Sequence, residues 1–292
     1  MKASVIIRTY NEERHIGAVL EALAAQETDF ESETIVIDSG SADRTLEIVE
    51  RFDCRVLHIE KHRFSFGRSL NIGCEAASGS HLAFISGHCI PASAQWLKRL
   101  VTPLGADSIA YVYGAQHGHP TSNFSESRLL AKRYPKEERI PQDGFFCNNA
   151  NAALLKSVWS EYPFDEALTG LEDMHLAKTL TQSGYRIGYV AAAPVCHIHH
   201  ESWTQIRRRY EREAIALQYI MPEVQITFLD FLRYFSSAVF LDSVEAAHEK
   251  VLARTLKDIV LYRLMQFWGS YRGNHFHRKL SRERKEKYFY PQ

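Results

Sequence analysis

Within the first hundred residues, short apolar runs alternate with amphipathic stretches of about ten residues. This alternation constrains the fold more than any other feature of the chain. Ser4-Val5-Ile6-Ile7 is nearly continuous in apolar character, as a parallel strand buried on both faces must be. Past Thr9-Tyr10-Asn11, apolar residues recur at Ile16, Val19, Leu20 and Leu23, which is helical spacing. Thr34 to Ile37 predicts a second strand ending at Asp38, and Ser39-Gly40-Ser41 turns into a helix carrying Thr45, Ile48 and Val49. Arg55 to Ile59 predicts a third strand, Phe66 to Ala77 a helix stopped before Gly79, and His81 to Ile85 a fourth strand. Such units give an α/β fold with a mostly parallel sheet flanked by helices. Ligands of these sheets bind beyond the carboxyl ends of the strands, where Arg8, Asp38 and Ser86-Gly87-His88 all fall.

The remainder is less regular. Ile109 to Tyr113 reads as a strand, residues 117–143 as a polar loop with a short helix, and Cys147 to Leu154 as a strand leading to a helix near Trp159. Leu171 to Ser183 is a helix with Leu176 and Leu180 on one side, closed by Gly184. A strand over Arg186–Val190 precedes the histidines His197, His199 and His200. Beyond residue 203 the pattern is helical, with basic runs at Arg207-Arg208-Arg209 and from Arg272 to Lys287. The expected organisation is an α/β domain over residues 1–220 and a helical extension over 221–292.

Thirty-five basic residues balance thirty-five acidic ones, so no global charge calls for nucleic acid. The cysteines, Cys54, Cys74, Cys89, Cys147 and Cys196, are odd in number and lack any CxxC spacing, the pattern of buried thiols in a reducing compartment. No basic-then-apolar leader precedes the first strand and no apolar run reaches membrane-spanning length. The expected location is cytoplasmic, or peripheral on the inner face of the cell membrane.

Glu172-Asp173 stands where a loop turns into a helix. A carboxylate there can face a cleft and take a proton from an alcohol, although the helix dipole alone would also favour acids at that point. Asp38 can accept from a base N–H or a ribose hydroxyl, and it can equally open an Asp-Ser-Gly turn. Arg68 and Asn71 on a helix are ordinarily a solvated face or a cap.

Together, SVIIRTYNEE, VIDSGSADRT, FGRSLNIGCEAASGSHLAFIS and GLEDMHLAKTLTQSGYRI resemble the family 2 glycosyltransferases, which are inverting enzymes of GT-A fold using nucleotide-sugar donors. The likeness runs from roughly residue 3 to 215. It implies that Thr9, Asn11 and Glu12 line the nucleotide pocket, that Asp38 contacts base or ribose, that Arg68 lies near the donor, and that Asp173 is the base with Glu172 in support. One departure stands out. The family carries at least one Asp after the fourth strand, often as Asp-x-Asp; here Ser86-Gly87-His88-Cys89 has no carboxylate, and His88 occupies the expected metal position. His88 with a late histidine, assigned to His199, would hold Mn²⁺ more readily than Mg²⁺. Alternatively, histidines clamp the phosphates without metal, the version favoured because no carboxylate remains near His88 to anchor a hard cation.

The expected function is therefore inverting transfer from a nucleotide sugar to a hydroxyl of a free or lipid-linked glycan in surface-polysaccharide synthesis. The alternatives are a decayed nucleotide-sugar-binding protein, which the missing Asp favours and Glu172-Asp173 opposes, and a nucleotidyltransferase, which would need a Gly-rich loop where RTYNEERHI has none. A dinucleotide oxidoreductase lacks its GxGxxG. The arginines of 207–212, with Trp203, Phe228, Phe231, Tyr234 and Phe235 nearby, fit either a solvated helix face or anionic headgroups. The aromatics fit equally a core or a homo-oligomer interface.

Overall fold

The computed structural model describes residues 1–276 and 288–289. Its strands and helices run in the order β1 (Lys2–Thr9), α1 (Ile16–Ala24), β2 (Glu31–Asp38), α2 (Thr45–Val49), β3 (Arg55–His58), α3 (Phe66–Ala76), β4 (His81–Ser86), β5 (Cys89–Pro91), α4 (Trp96–Val101), β6 (Ile109–Gly118), α5 (Phe124–Arg133), β7 (Asn151–Leu155), α6 (Lys156–Glu161), α7 (Glu172–Gln182), β8 (Arg186–His197), α8 (Trp203–Ile220), α9 (Phe228–His248) and α10 (Leu252–Asn274). These form two compact units. The first comprises residues 1–117, 134–168 and 172–197, and the second 118–133, 169–171 and 198–292.

The first unit is an eight-stranded sheet in the order β3-β2-β1-β4-β7-β6-β8-β5. The half formed by β3, β2, β1 and β4 is parallel, as the βαβ alternation requires, and the half that follows is antiparallel. Val5, Ile6 and Ile7 of the central strand are buried with Ile35, Val36 and Ile37 of β2 and Phe84 of β4; each such side chain contributes about 1.5–3 kcal/mol. The helical spacing of α1 packs Ile16, Val19, Leu20 and Leu23 in one cluster with Val5, Ile7 and Val36. Parallel register brings Thr9 opposite Asp38 and Arg8 opposite Ser86, aligning three strand ends.

Two elements differ from the sequence expectation. The strand predicted from Cys147 begins only at Asn151, because the Asn148 side chain accepts from the Ala150 N–H and its carbonyl from the Asn151 N–H, closing a turn across 148–151. The strand predicted over 186–190 continues to His197, its far end pairing with β5.

The second unit gathers α5 with the three long helices, so α8, expected with the α/β domain, groups with α9 and α10 instead. The boundary expected at residue 220 is therefore not the boundary of the compact units. Gly269 and Gly273, one turn apart on α10, explain the packing: a Cβ at either would collide with the backbone carbonyl of Arg207 or of Glu211 on α8. Two of the arginines of α8 are engaged in ion pairs. Arg207 pairs with Glu211 at 2.5 Å, and Arg209 with Glu126 and Glu201 at 2.9 and 2.7 Å. Phe231 is buried against Trp268 and Tyr271, whereas Phe228 and Tyr234 are exposed. Most of the basic run from Arg272 to Lys287 lies outside the described residues. No described helix is long and apolar enough to cross a membrane.

Buried Asp242 accepts from Ser125, Arg128 and Arg263 at 2.6–3.1 Å. Asp242→Ala strands the buried Arg263 guanidinium, and the expected loss is about 3–5 kcal/mol in urea denaturation.

Candidate functional site

Short loops at the carboxyl ends of β1, β2 and β4 interlock. Asn11 adopts a left-handed backbone (φ 55°), its side chain accepts from the Ala42 N–H at 2.8 Å, and its own N–H donates to Ser41 Oγ at 2.9 Å. Asn tolerates this conformation because its short side chain bonds locally. The residue expected in the nucleotide pocket thus also ties the β1 loop to the β2 loop. Asp38, 1% exposed, accepts from the Gly40 and Ser41 N–H groups at 2.9 and 3.2 Å, and His58 Nδ1 approaches within 3.6 Å. The turn that sequence allows at Asp38 is present. Thr9 is buried, and its hydroxyl has no hydrogen-bond partner among the described residues; natural structures tolerate such atoms mainly at functional sites.

Gly87 follows Ser86 at the end of β4 and donates to the Arg8 carbonyl at 3.1 Å. A Cβ there would stand 3.2 Å from the Arg8 carbonyl, Glu12 Cγ and Thr9 Oγ1, so the close approach favours glycine. That approach sets His88 beside Glu12, with Nδ1 and Oε1 2.6 Å apart. The premise that no carboxylate stands near His88 therefore fails: the segment lacks one, and the β1 loop supplies it.

The late histidine at His88 is His197. Its ring stacks on that of His88 at 5.1 Å and 18°, because Cys89 and His197 are cross-strand partners between β5 and β8. His199, the residue assigned from sequence, belongs to the second unit, where it bonds Glu126 at 2.8 Å beside Arg209. Hydrogen-bond direction then fixes the tautomers. The Ala150 N–H makes Asn148 Oδ1 an acceptor, Gln116 Nε2 donates to that oxygen at 3.1 Å, and Gln116 Oε1 is left to accept from His197 Nδ1–H at 2.7 Å. His88 donates likewise from Nδ1 to Glu12. In its neutral form each imidazole then carries its lone pair on Nε2, the arrangement of an oriented metal ligand. His88, Cys89 and His197 offer ligand atoms within 4.8 Å of one another. Sequence could not distinguish His197 from His199, since only the β5–β8 register decides.

The carboxylate pair opens α7 after Leu171, itself left-handed at φ 56°. Both acids are buried. Glu172 Oε1 accepts from Arg8 Nη1 at 3.0 Å, while Asp173 accepts from the Asn149 N–H at 2.8 Å and the Met174 N–H at 2.7 Å. Burial, and then the Glu172 charge, raise the Asp173 carboxyl to about 7, against the lowering effects of the two N–H groups and Arg8. A carboxylate so tuned is matched to proton abstraction near neutrality. Arg68 is taken up elsewhere, pairing with Glu166 at 2.7 Å. Donor contact would require it to exchange that partner.

Residues 4–162 match the family described as Glycosyl transferase family 2. Over 222 residues the chain is 30% identical to the O-antigen chain rhamnosyltransferase RfbN of Salmonella typhimurium, covering 72% of this chain and 70% of that protein. It is 28% identical to the glycosyltransferase AglE of Haloferax volcanii over 201 residues, 66% of each chain. Among solved structures, the mannosyltransferase PcManGT of Pyrobaculum calidifontis, in complex with GDP-Man and Mn²⁺, superposes with a TM-score of 0.61 at 15% identity, covering 94% of this chain and 88% of that one. S. aureus TarS 1-349 gives a TM-score of 0.51 at 19% identity over 95% and 93% of the two chains. Fold, carboxylate pair and sequence likeness converge: the chain belongs to glycosyl transferase family 2 and is a nucleotide-sugar-dependent glycosyltransferase.

Proposed function

We propose that this glycosyltransferase moves a sugar, with inversion, from its nucleotide donor to a hydroxyl of a growing surface polysaccharide, with Asp173 as general base. The observation that carries this reading is the environment of Asp173: a buried carboxylate held by two backbone N–H groups and raised to about 7. Asp173 takes the acceptor proton as the hydroxyl attacks the anomeric carbon from the face opposite the nucleotide. Thr9 and Asp38 border the nucleotide pocket with Asn11 and Glu12, and Ser86, Gly87 and His88 face the phosphates. The O-antigen relatives and the succinoglycan biosynthesis protein ExoA of Rhizobium meliloti support a polysaccharide acceptor, whether free or lipid-linked.

The donor set of His88, Cys89 and His197 fits a divalent transition ion. Imidazole suits a transition ion such as Zn²⁺ better than Mg²⁺, the structural neighbour PcManGT is in complex with Mn²⁺, and the Nδ1–H groups present Nε2 as the ligand atom. Held by His88, Cys89 and His197, such an ion would supply positive charge to neutralise the leaving phosphates. Glu12 and Gln116 hold the two rings in register. Peripheral attachment to a membrane would fall to the exposed Phe228, Leu229, Leu232 and Phe240 of α9 rather than to the internally paired Arg207 and Arg209 of α8.

A thermal-shift screen of UDP, GDP, dTDP and CMP, with and without Mn²⁺, tests the nucleotide reading. One nucleotide should stabilise the protein by about 2.7 kcal/mol at a hundredfold excess over Kd, and no response to any of them would remove it. Asp38→Ala should weaken that nucleotide by about 1–3 kcal/mol in calorimetry; an unchanged Kd would leave Asp38 as the turn residue its local bonds describe.

A further inference from the structure

The structure assigns Arg8 a task in the reaction: we propose that it is the positioning residue dividing Glu172 and Asp173 into an ion-pair partner and a base. The inference rests on Asp173 being the base. Arg8 follows the buried apolar run Val5-Ile6-Ile7 one residue from the end of β1, which lies between β2 and β4. A cation there, 16% exposed in its side chain, is costly unless paired. It is held on two sides. The guanidinium lies 5.1 Å from the centroid of the Phe66 ring at the start of α3, and Nη1 lies 3.0 Å from Glu172 Oε1.

Two adjacent buried carboxylates cannot both ionise freely, so whichever receives the cation is fixed as the anion and the other is left to titrate. Here Glu172 takes the direct bond, and Asp173 has only the N–H groups of Asn149 and Met174. Glu172 on α7 and Arg8 on β1 act on Asp173 in opposite senses, the first favouring its protonated form and the second its ionised form. Tyr111 of β6 and Cys147 before β7 are titratable groups that also face it. Burial holds both neutral, so neither supplies a compensating charge.

Arg8 and Glu172 should therefore move the titration of Asp173 in opposite directions. The test follows the carboxyl carbons of ¹³C-aspartate-labelled protein by NMR across pH, with the Asp173 signal assigned by its loss in Asp173→Asn. Arg8→Gln should raise the titration midpoint by about one pH unit and Glu172→Gln should lower it by a similar amount. Arg8→Lys should restore most of the wild-type midpoint, and the double variant Arg8→Gln/Glu172→Gln should lie between the two single variants. The acid limb of turnover should follow the same order. A merely structural Arg8 would lower activity without moving the midpoint; an unshifted midpoint in soluble Arg8→Gln, or shifts of the same sign in both single variants, overturns the proposal. Retained turnover in Asp173→Asn would instead remove the base on which the inference rests, so the two failures are distinguishable.

Discussion

Asp173→Asn should lower transfer by about 10²–10⁴-fold, the value of a positioned general base, while nucleotide affinity stays at the wild-type level. The amide keeps one oxygen for the Asn149 N–H and gives up the bond from the Met174 N–H, a local cost at the start of α7 that accompanies loss of the proton acceptor. The same variant carries a signature in stability. Because the native state holds the Asp173 proton more tightly than the unfolded chain does, folding loses stability as pH rises from the ordinary carboxylate range through about 7. The amide has nothing to ionise. Asp173→Asn should therefore gain thermal stability relative to wild type at pH 8, with the difference shrinking toward pH 4. Equal pH dependence in both proteins would mean that Asp173 is ionised at no cost and is not the tuned base.

His88 gives the second large effect. With His88 and His197 as ligands, EDTA should abolish turnover, Mn²⁺ should restore it, and activity should fall below about pH 6.5 as the imidazoles protonate. His88→Ala should be severely impaired. His88→Asp should retain more activity than His88→Ala when Mn²⁺ is saturating, because the new carboxylate can bind the ion. Without an ion it would stand next to Glu12, two like charges facing a diphosphate. In the metal-free clamp the order reverses, with His88→Asp worse than His88→Ala and EDTA without effect. Glu12→Gln should weaken Mn²⁺ by about 10–100-fold, as loss of a ligand's orienting partner does.

Local periodicity made the parallel half of the sheet legible. Buried apolar runs and helical spacing each depend on residues close in sequence, so β1 to β4 and the helices between them follow directly from the chain. The carboxylate pair was legible for the same reason, since a loop-to-helix junction is a local pattern. What escaped depends on long-range register. His197 rather than His199 reaches His88 because β8 runs on to pair with β5, although apolar periodicity fades before that point. Glu12 reads as a pocket residue until the glycine at 87 lets the two loops meet. Arg209 reads as part of a surface strip because its partner Glu126 lies 83 residues away.

The most direct test of the mechanism is the anomeric configuration of the product. Purified enzyme given the nucleotide sugar it binds and a hydroxyl acceptor should form a linkage whose configuration, read from the anomeric proton coupling by NMR, is opposite to that of the donor. A single buried base with attack opposite the leaving nucleotide can give only this result. Retained configuration would require a second displacement or attack from the leaving-group face, and it would contradict the role assigned to Asp173.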